Sequence, residues 1–177
     1  MPKVHFVKKA RKDINSEIKA GDSYYWWKFR YGGKRVSKTP PKPKDLTQSD
    51  FLISLYSIEE EIENFIASDK ESFDAQKEDI LSQIEQLKDE VDERLQNMPE
   101  QLHYSPTGEL LQERIDALDE WYNELEAIEC EADEDEIREE LEDEEDIEDI
   151  DAEILQKIQE KVDDAIMEFQ STSHSCY

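Results

Sequence analysis

From Phe51 to Phe169, apolar residues recur every third or fourth position in an otherwise acidic chain, and this rhythm limits the fold more than any other feature. A stripe of that spacing lies on one side of an α-helix and must be covered by another helix. Leu55, Ile58, Ile62 and Phe65, then Phe73, Ile80, Ile84, Leu87, Val91, Leu95 and Met98, keep the spacing, with slack only around Ser68 to Lys70. A helix over 49–98 would be roughly 75 Å long. Thr47-Gln48-Ser49-Asp50 supplies capping side chains at its start. Pro99 and Tyr104-Ser105-Pro106-Thr107-Gly108 predict a turn, with Ser105 as N-cap and Pro106 at the first helical position. A second stripe, Leu111, Ile115, Leu118, Tyr122, Leu125 and Ile128, should therefore return antiparallel along Ile80 to Met98. The rhythm thins at Ile137 and Leu141 and recovers from Ile147 to Phe169, which predicts a further helix or the far side of a kink.

The first 45 residues follow a different pattern. They carry thirteen Lys/Arg against four Asp/Glu, a charge of +9, whereas residues 46–177 carry eight against forty-four, a charge of −36. Ser23 to Lys38 is an aromatic and basic run interrupted by Gly32-Gly33, and Gly-Gly between two strand-like runs predicts a hairpin with a two-residue type I′ turn. Alternation along the strand places Tyr25, Trp27, Phe29 and Tyr31 on one face, expected as core, and Tyr24, Trp26, Lys28 and Arg30 on the other. Thr39-Pro40-Pro41-Lys42-Pro43-Lys44 reads as a short extended spacer, because closely set prolines exclude a helix.

The expected architecture is therefore mainly α with a small N-terminal β element. A β-hairpin or three-stranded head over 1–38 is followed by a Pro-rich linker over 39–46, a long acidic antiparallel helical hairpin or coiled-coil bundle over 47–170, and a flexible tail over 171–177. No run of eighteen apolar residues occurs and Met1-Pro2-Lys3 leads into no hydrophobic signal segment, so the expectation is a cytoplasmic protein without membrane contact. Cys130 and Cys176 read as two free thiols rather than a disulfide framework.

Two regions stand out for binding. On the head, Lys28, Arg30, Lys34, Arg35 and Lys38 are candidates to hold phosphates, with Tyr24 and Trp26 stacking on bases or sugars. The alternative is that these cations only keep an edge strand soluble. On the body, Glu129 to Glu153 holds seventeen acidic residues in twenty-five. As one helix it would present about one negative charge per 2.2 Å, close to the roughly 1.7 Å of duplex DNA. Glu139, Glu140, Glu142, Asp143, Glu144 and Glu145 are then the candidate partner or mimic surface, and a solvated linker helix is the alternative.

Tyr24-Tyr25-Trp26-Trp27-Lys28-Phe29-Arg30-Tyr31-Gly32-Gly33-Lys34-Arg35 resembles the hairpin of the arm-type DNA-binding domains of phage tyrosine recombinases, and Val4 to Lys12 with Ser23 to Pro41 resembles the opening of uncharacterised phage-encoded proteins. The resemblance implies DNA contact by the hairpin and a phage origin, which would make the cytoplasm that of a host cell. Catalysis is not expected. No Gly-rich phosphate loop or nucleophile motif is present, and with forty-eight carboxylates a pair at catalytic spacing arises by chance. His174 and Cys176 supply two metal ligands where a site needs about four, so neither metal nor cofactor is expected. Three functions remain open: a non-enzymatic phage-type accessory protein whose head contacts nucleic acid and whose helices contact protein; a DNA-mimic inhibitor of a host DNA-handling or restriction-type enzyme; and a coiled coil that oligomerises or tethers.

Overall fold

In a computed structural model, residues 1–142, 150–172 and 174 are described. The chain is mainly α-helical with a small N-terminal sheet, and it divides into two compact units, 1–57 and 58–177.

The first unit is built on an antiparallel sheet in the order β1 (His5–Val7), β2 (Tyr24–Lys28), β3 (Lys34–Ser37). The connection from β1 to β2 is closed by main-chain bonds from Ala10 N to Asp22 O (2.7 Å) and from Gly21 N to Ala10 O (2.9 Å). Gly21, at φ 101°, takes the left-handed conformation that this closure requires. Within the loop, Asp13 Oδ1 accepts from Ala20 N at 2.7 Å and Asn15 Oδ1 from Ile18 N at 2.8 Å, and Ile18 is fully buried.

The turn between β2 and β3 differs from the expected two-residue form. Five residues, Phe29 to Gly33, connect the strands, and neither Gly32 nor Gly33 is in the left-handed region. The prolines that follow do not form a plain extended spacer either. Pro43–Leu46 is a 3-10 turn, and Asp45 O accepts the Trp27 indole N–H at 3.0 Å, which draws this segment into the first unit. Trp27, Phe29, Phe51 and Leu55 are buried in that unit. The expected core residue Tyr31 is instead 79% exposed, because it lies in the longer turn and not on the strand face.

The division between units falls within α1 (Asp50–Glu63). The continuous rod expected over 49–98 is broken after α1. Residues 64–69 leave the helix, and α2 (Lys70–Gln96) restarts with Asp69 as N-cap. Ser72 N donates to Asp69 Oδ1 at 2.7 Å while Asp69 N donates to Ser72 Oγ at 3.2 Å, a reciprocal cap that satisfies two donors otherwise left open by a helix start. These hydrogen bonds, that from the Ser72 main chain first, hold the Asp69 carboxyl below the usual range. At 27 residues, α2 is about 40 Å long.

α3 (Pro106–Glu126) begins as the sequence predicts, with Ser105 Oγ accepting from Gly108 N at 3.3 Å and Pro106 in the first turn. It runs antiparallel to α2. Lys77 near the start of α2 donates to Glu126 O near the end of α3 at 2.8 Å, and Lys88 meets Asp119 at 2.8 Å. Hydrogen bonding to Asp119 raises the Lys88 ammonium above its ordinary value, and the same bond lowers the Asp119 carboxyl. Between the two helices lie Ile84, Leu87, Val91, Leu118, Trp121 and Leu125, each at most 4% exposed. Burying each of these larger side chains contributes about 1.5–3 kcal/mol.

α4 (Glu134–Glu142) and α5 (Ile150–Ser171) pack together through Ile137, Leu141, Ile154 and Ile158. A straight helix would separate Ile137 from Ile154 by about 25 Å, so their contact requires the chain to double back. Arg138 closes on Asp151 at 3.4 Å and on Glu134 at 3.1 Å. Near the end of α5, Phe169 joins Phe65 and Phe73 in an aromatic cluster with ring centroids 4.7–5.9 Å apart. Past α5, His174 touches the helices: its Nε2 lies 2.7 Å from Glu59 Oε1, and its ring packs 4.6 Å from that of Trp121. Cys130 is buried with a free thiol, and Cys176 lies outside the described residues.

Candidate nucleic-acid interface

β2 supplies the centre of the candidate site because its neighbours fix both of its edges. The registers are His5↔Trp26 and Val7↔Tyr24 on one side, and Trp26↔Val36 and Lys28↔Lys34 on the other. Directly paired residues share a face of a sheet. One face thus carries His5, Val7, Tyr24, Trp26, Lys28, Lys34 and Val36. The other carries Phe6, Tyr25, Trp27, Arg35 and Ser37 and turns Trp27 into the core.

This register divides the candidate residues. Tyr24, Trp26, Lys28 and Lys34 come together on one face. Arg35 falls on the opposite face, where its guanidinium lies 5.6 Å over the Phe29 ring. Arg30 sits in the five-residue turn with its guanidinium 5.3 Å over the Tyr31 ring. Lys38 forms an ion pair with Asp22 at 3.2 Å. The Asp22 carboxyl is held below its ordinary range, first by the Lys19 main-chain N–H and then by Lys38. Among the described residues, no acid comes within 4.0 Å of the cationic nitrogens of Lys28, Arg30, Lys34 or Arg35.

Trp26, the ring expected to stack on bases, already has two neighbours. The His5 imidazole stacks on it at 4.2 Å, with 9° between the planes, and the Lys34 ammonium lies 4.5 Å from its ring centroid. The two neighbours come from β1 and from the start of β3, which flank β2 on opposite edges. A base stacking on the face that His5 occupies would have to displace the imidazole. Tyr24, half-buried, has the same Lys34 ammonium at 5.9 Å. His5 was not distinguishable as part of this face from the sequence, because its position depends on a pairing across twenty intervening residues.

On the acidic side, Glu139 and Glu140 are exposed on α4, and Glu142 is the last residue of that helix. Asp143, Glu144 and Glu145 lie outside the described residues. The fold-back of α4 on α5 removes the straight, evenly charged rod that the acidic run would form as one helix.

Two surface hollows accompany these features. One, of about 740 Å³, is bordered by Met1, Pro2, Lys28, Arg30 and Gln48 in the first unit. The other, of about 500 Å³, lies in the helical unit between Glu61, Asn64, Gln76, Asp79 and Gln83 and is lined largely by polar side chains. Among the described residues, no group of three or more His, Cys, Asp or Glu is arranged to hold a metal ion, and no helix is long and apolar enough to cross a membrane. Comparison with protein-family models, curated proteins and solved structures gives no match.

Proposed function

We propose that this is a non-enzymatic binding protein whose sheet unit engages nucleic acid and whose acidic helical unit engages a protein partner. One observation carries the first half. In a chain with forty-eight Asp/Glu and twenty-one Lys/Arg, the sheet unit keeps Lys28, Arg30, Lys34 and Arg35 without an acidic neighbour among the described residues. Cations left unneutralised amid such an excess of acid suit an external polyanion, whose counterions they displace. The exposed acids of α4, with Glu139 and Glu140 foremost, suit a protein with a basic face.

The three tryptophans provide a built-in test, since Trp26 and Trp27 lie in the sheet unit and Trp121 is buried in the helical unit. Titration of the intact chain with a short oligonucleotide should shift the Trp26 indole N–H signal in ¹H–¹⁵N spectra and leave that of Trp121 in place. If no Trp26 shift occurs at low to moderate ionic strength, nucleic-acid contact by this face is refuted.

A further inference from the structure

We propose that Lys3, Lys28 and Lys34 form a single row across the sheet that grips consecutive phosphates of one nucleic-acid strand, with Trp26 as the fixed platform beside the row and not a ring that stacks on bases. This rests on the nucleic-acid reading above and goes beyond it by adding Lys3 and by making the contact independent of base sequence.

The row follows from the register. Paired residues of β1 and β2 have numbers summing to 31, as in His5↔Trp26; β1 begins at His5, and continuing its register two residues further back sets Lys3 opposite Lys28. Across the other edge, Lys28 is paired with Lys34. Met1 and Pro2 border the same hollow as Lys28, as expected if the chain before β1 continues alongside β2. Neighbouring strands lie about 4.8 Å apart, so three positions in a row span roughly 10 Å. Phosphates advance about 3.4 Å each along one strand of a duplex, which brings two or three of them within that reach.

Like charges directly opposite one another destabilise a sheet, and the usual arrangement sets an acid across from a base. Here no acid among the described residues lies within 4.0 Å of any of the three ammonium groups. The repulsion is partly relieved where Lys34 leans toward the rings of Trp26 and Tyr24. A bound phosphate chain relieves the rest. With the His5 ring stacked on it and the Lys34 ammonium 4.5 Å from its centroid, Trp26 positions that ammonium beside the row.

The test uses the intact chain and a short fluorescent DNA duplex, with affinity followed by anisotropy as NaCl is raised from near-physiological strength. Lys3→Gln, Lys28→Gln and Lys34→Gln should each lower the slope of log affinity against log salt by about 1. Together they should lower it by about 3. Lys3→Arg should retain the slope, and Lys161→Gln in the helical unit, the same change of charge, should leave it unaltered. Duplexes of different composition should bind within about two-fold of one another. An unchanged slope for Lys3→Gln beside a reduced one for Lys28→Gln overturns the row while leaving nucleic-acid binding intact. A several-fold preference for one base composition overturns the platform role of Trp26. Absence of binding to DNA overturns both readings, and capture of the chain by phosphatidylserine vesicles in that case assigns the lysines to a membrane surface.

Discussion

Gly108→Ala should destabilise the helical unit, although a glycine replaced by alanine within a helix ordinarily gains about 1 kcal/mol. The reversal comes from the turn that precedes α3. A Cβ at position 108 would lie 2.2 Å from His103 O and 2.6 Å from both His103 C and Leu102 O, where ordinary contact begins at 3.4 Å. The His103 carbonyl would have to retreat by about 1.2 Å to reach that limit. It has little freedom to do so, since Leu102 O accepts from Ser105 N at 3.0 Å and from Ser105 Oγ at 2.6 Å, and His103 N donates to Glu100 O at 3.2 Å. Overpacking of this kind costs about 1–3 kcal/mol. Loss of one or two of these hydrogen bonds adds about 1 kcal/mol each. With the propensity gain deducted, the net loss is about 1–4 kcal/mol, or several degrees in Tm. Urea denaturation followed by helical circular dichroism measures it, with Gly33→Ala as the control because its added Cβ meets nothing within 4 Å. A Gly108→Ala chain as stable as the parent, or more stable, would refute the close approach of this turn to α3.

Asp69→Ala should lower Tm at neutral pH by removing the start of α2. Because the folded carboxyl is depressed, its stabilisation is present above the unfolded value and lost as pH falls through the folded one, so paired melts should converge in acid. Leu141→Ala and Ile154→Ala should each cost about 2–5 kcal/mol by denaturant titration if α4 packs on α5. On one straight exposed helix the same changes would cost under about 0.5 kcal/mol. DNA affinity of the intact chain, with formal charge −27, should pass through a maximum as salt rises. At 0.01 M a Debye length of about 30 Å lets the acidic unit repel the duplex, and at 0.1 M, about 10 Å, the local lysines prevail; a fall in affinity at every step of the salt titration would contradict this.

The helical unit was legible wherever a local signal was enough. Ser105 and Pro106 mark the start of α3, and the facing stripes around Leu87 and Leu118 are buried as their spacing implies. The break between α1 and α2 was visible only as slack in the rhythm. Its cause is the reciprocal pairing of Asp69 with Ser72, a cap with no glycine or proline to announce it. The fold-back of α4 was not legible at all, since Ile137 and Leu141 show that a helix has an apolar side but not which later residues will cover it. The docking of His174 against Glu59 and Trp121 was hidden for the same reason: its partners are 115 and 53 positions away.

The candidate site was the least legible part, and the reason is one of parity. A two-residue turn at Gly32-Gly33 would pair Tyr31 with Lys34, giving paired numbers that sum to 65 and setting Lys34 on the Trp27 face. The observed turn of five residues pairs Lys28 with Lys34, a sum of 62, and sends Lys34 to the Trp26 face instead. A shift of three is odd, so every side chain of β3 changes sides relative to β2. Lys34 therefore joins Lys28 and Trp26, while Arg35, expected beside them, goes to the core side over Phe29. Alternation within β2 survives any turn length, which is why Trp27 was correctly assigned to the core from composition and period alone. The proposed row depends on two registers at once, and each is set by a connection whose length no strand pattern encodes. The lysines that lie opposite one another are for that reason a property of the folded sheet, visible only once both turns are in place.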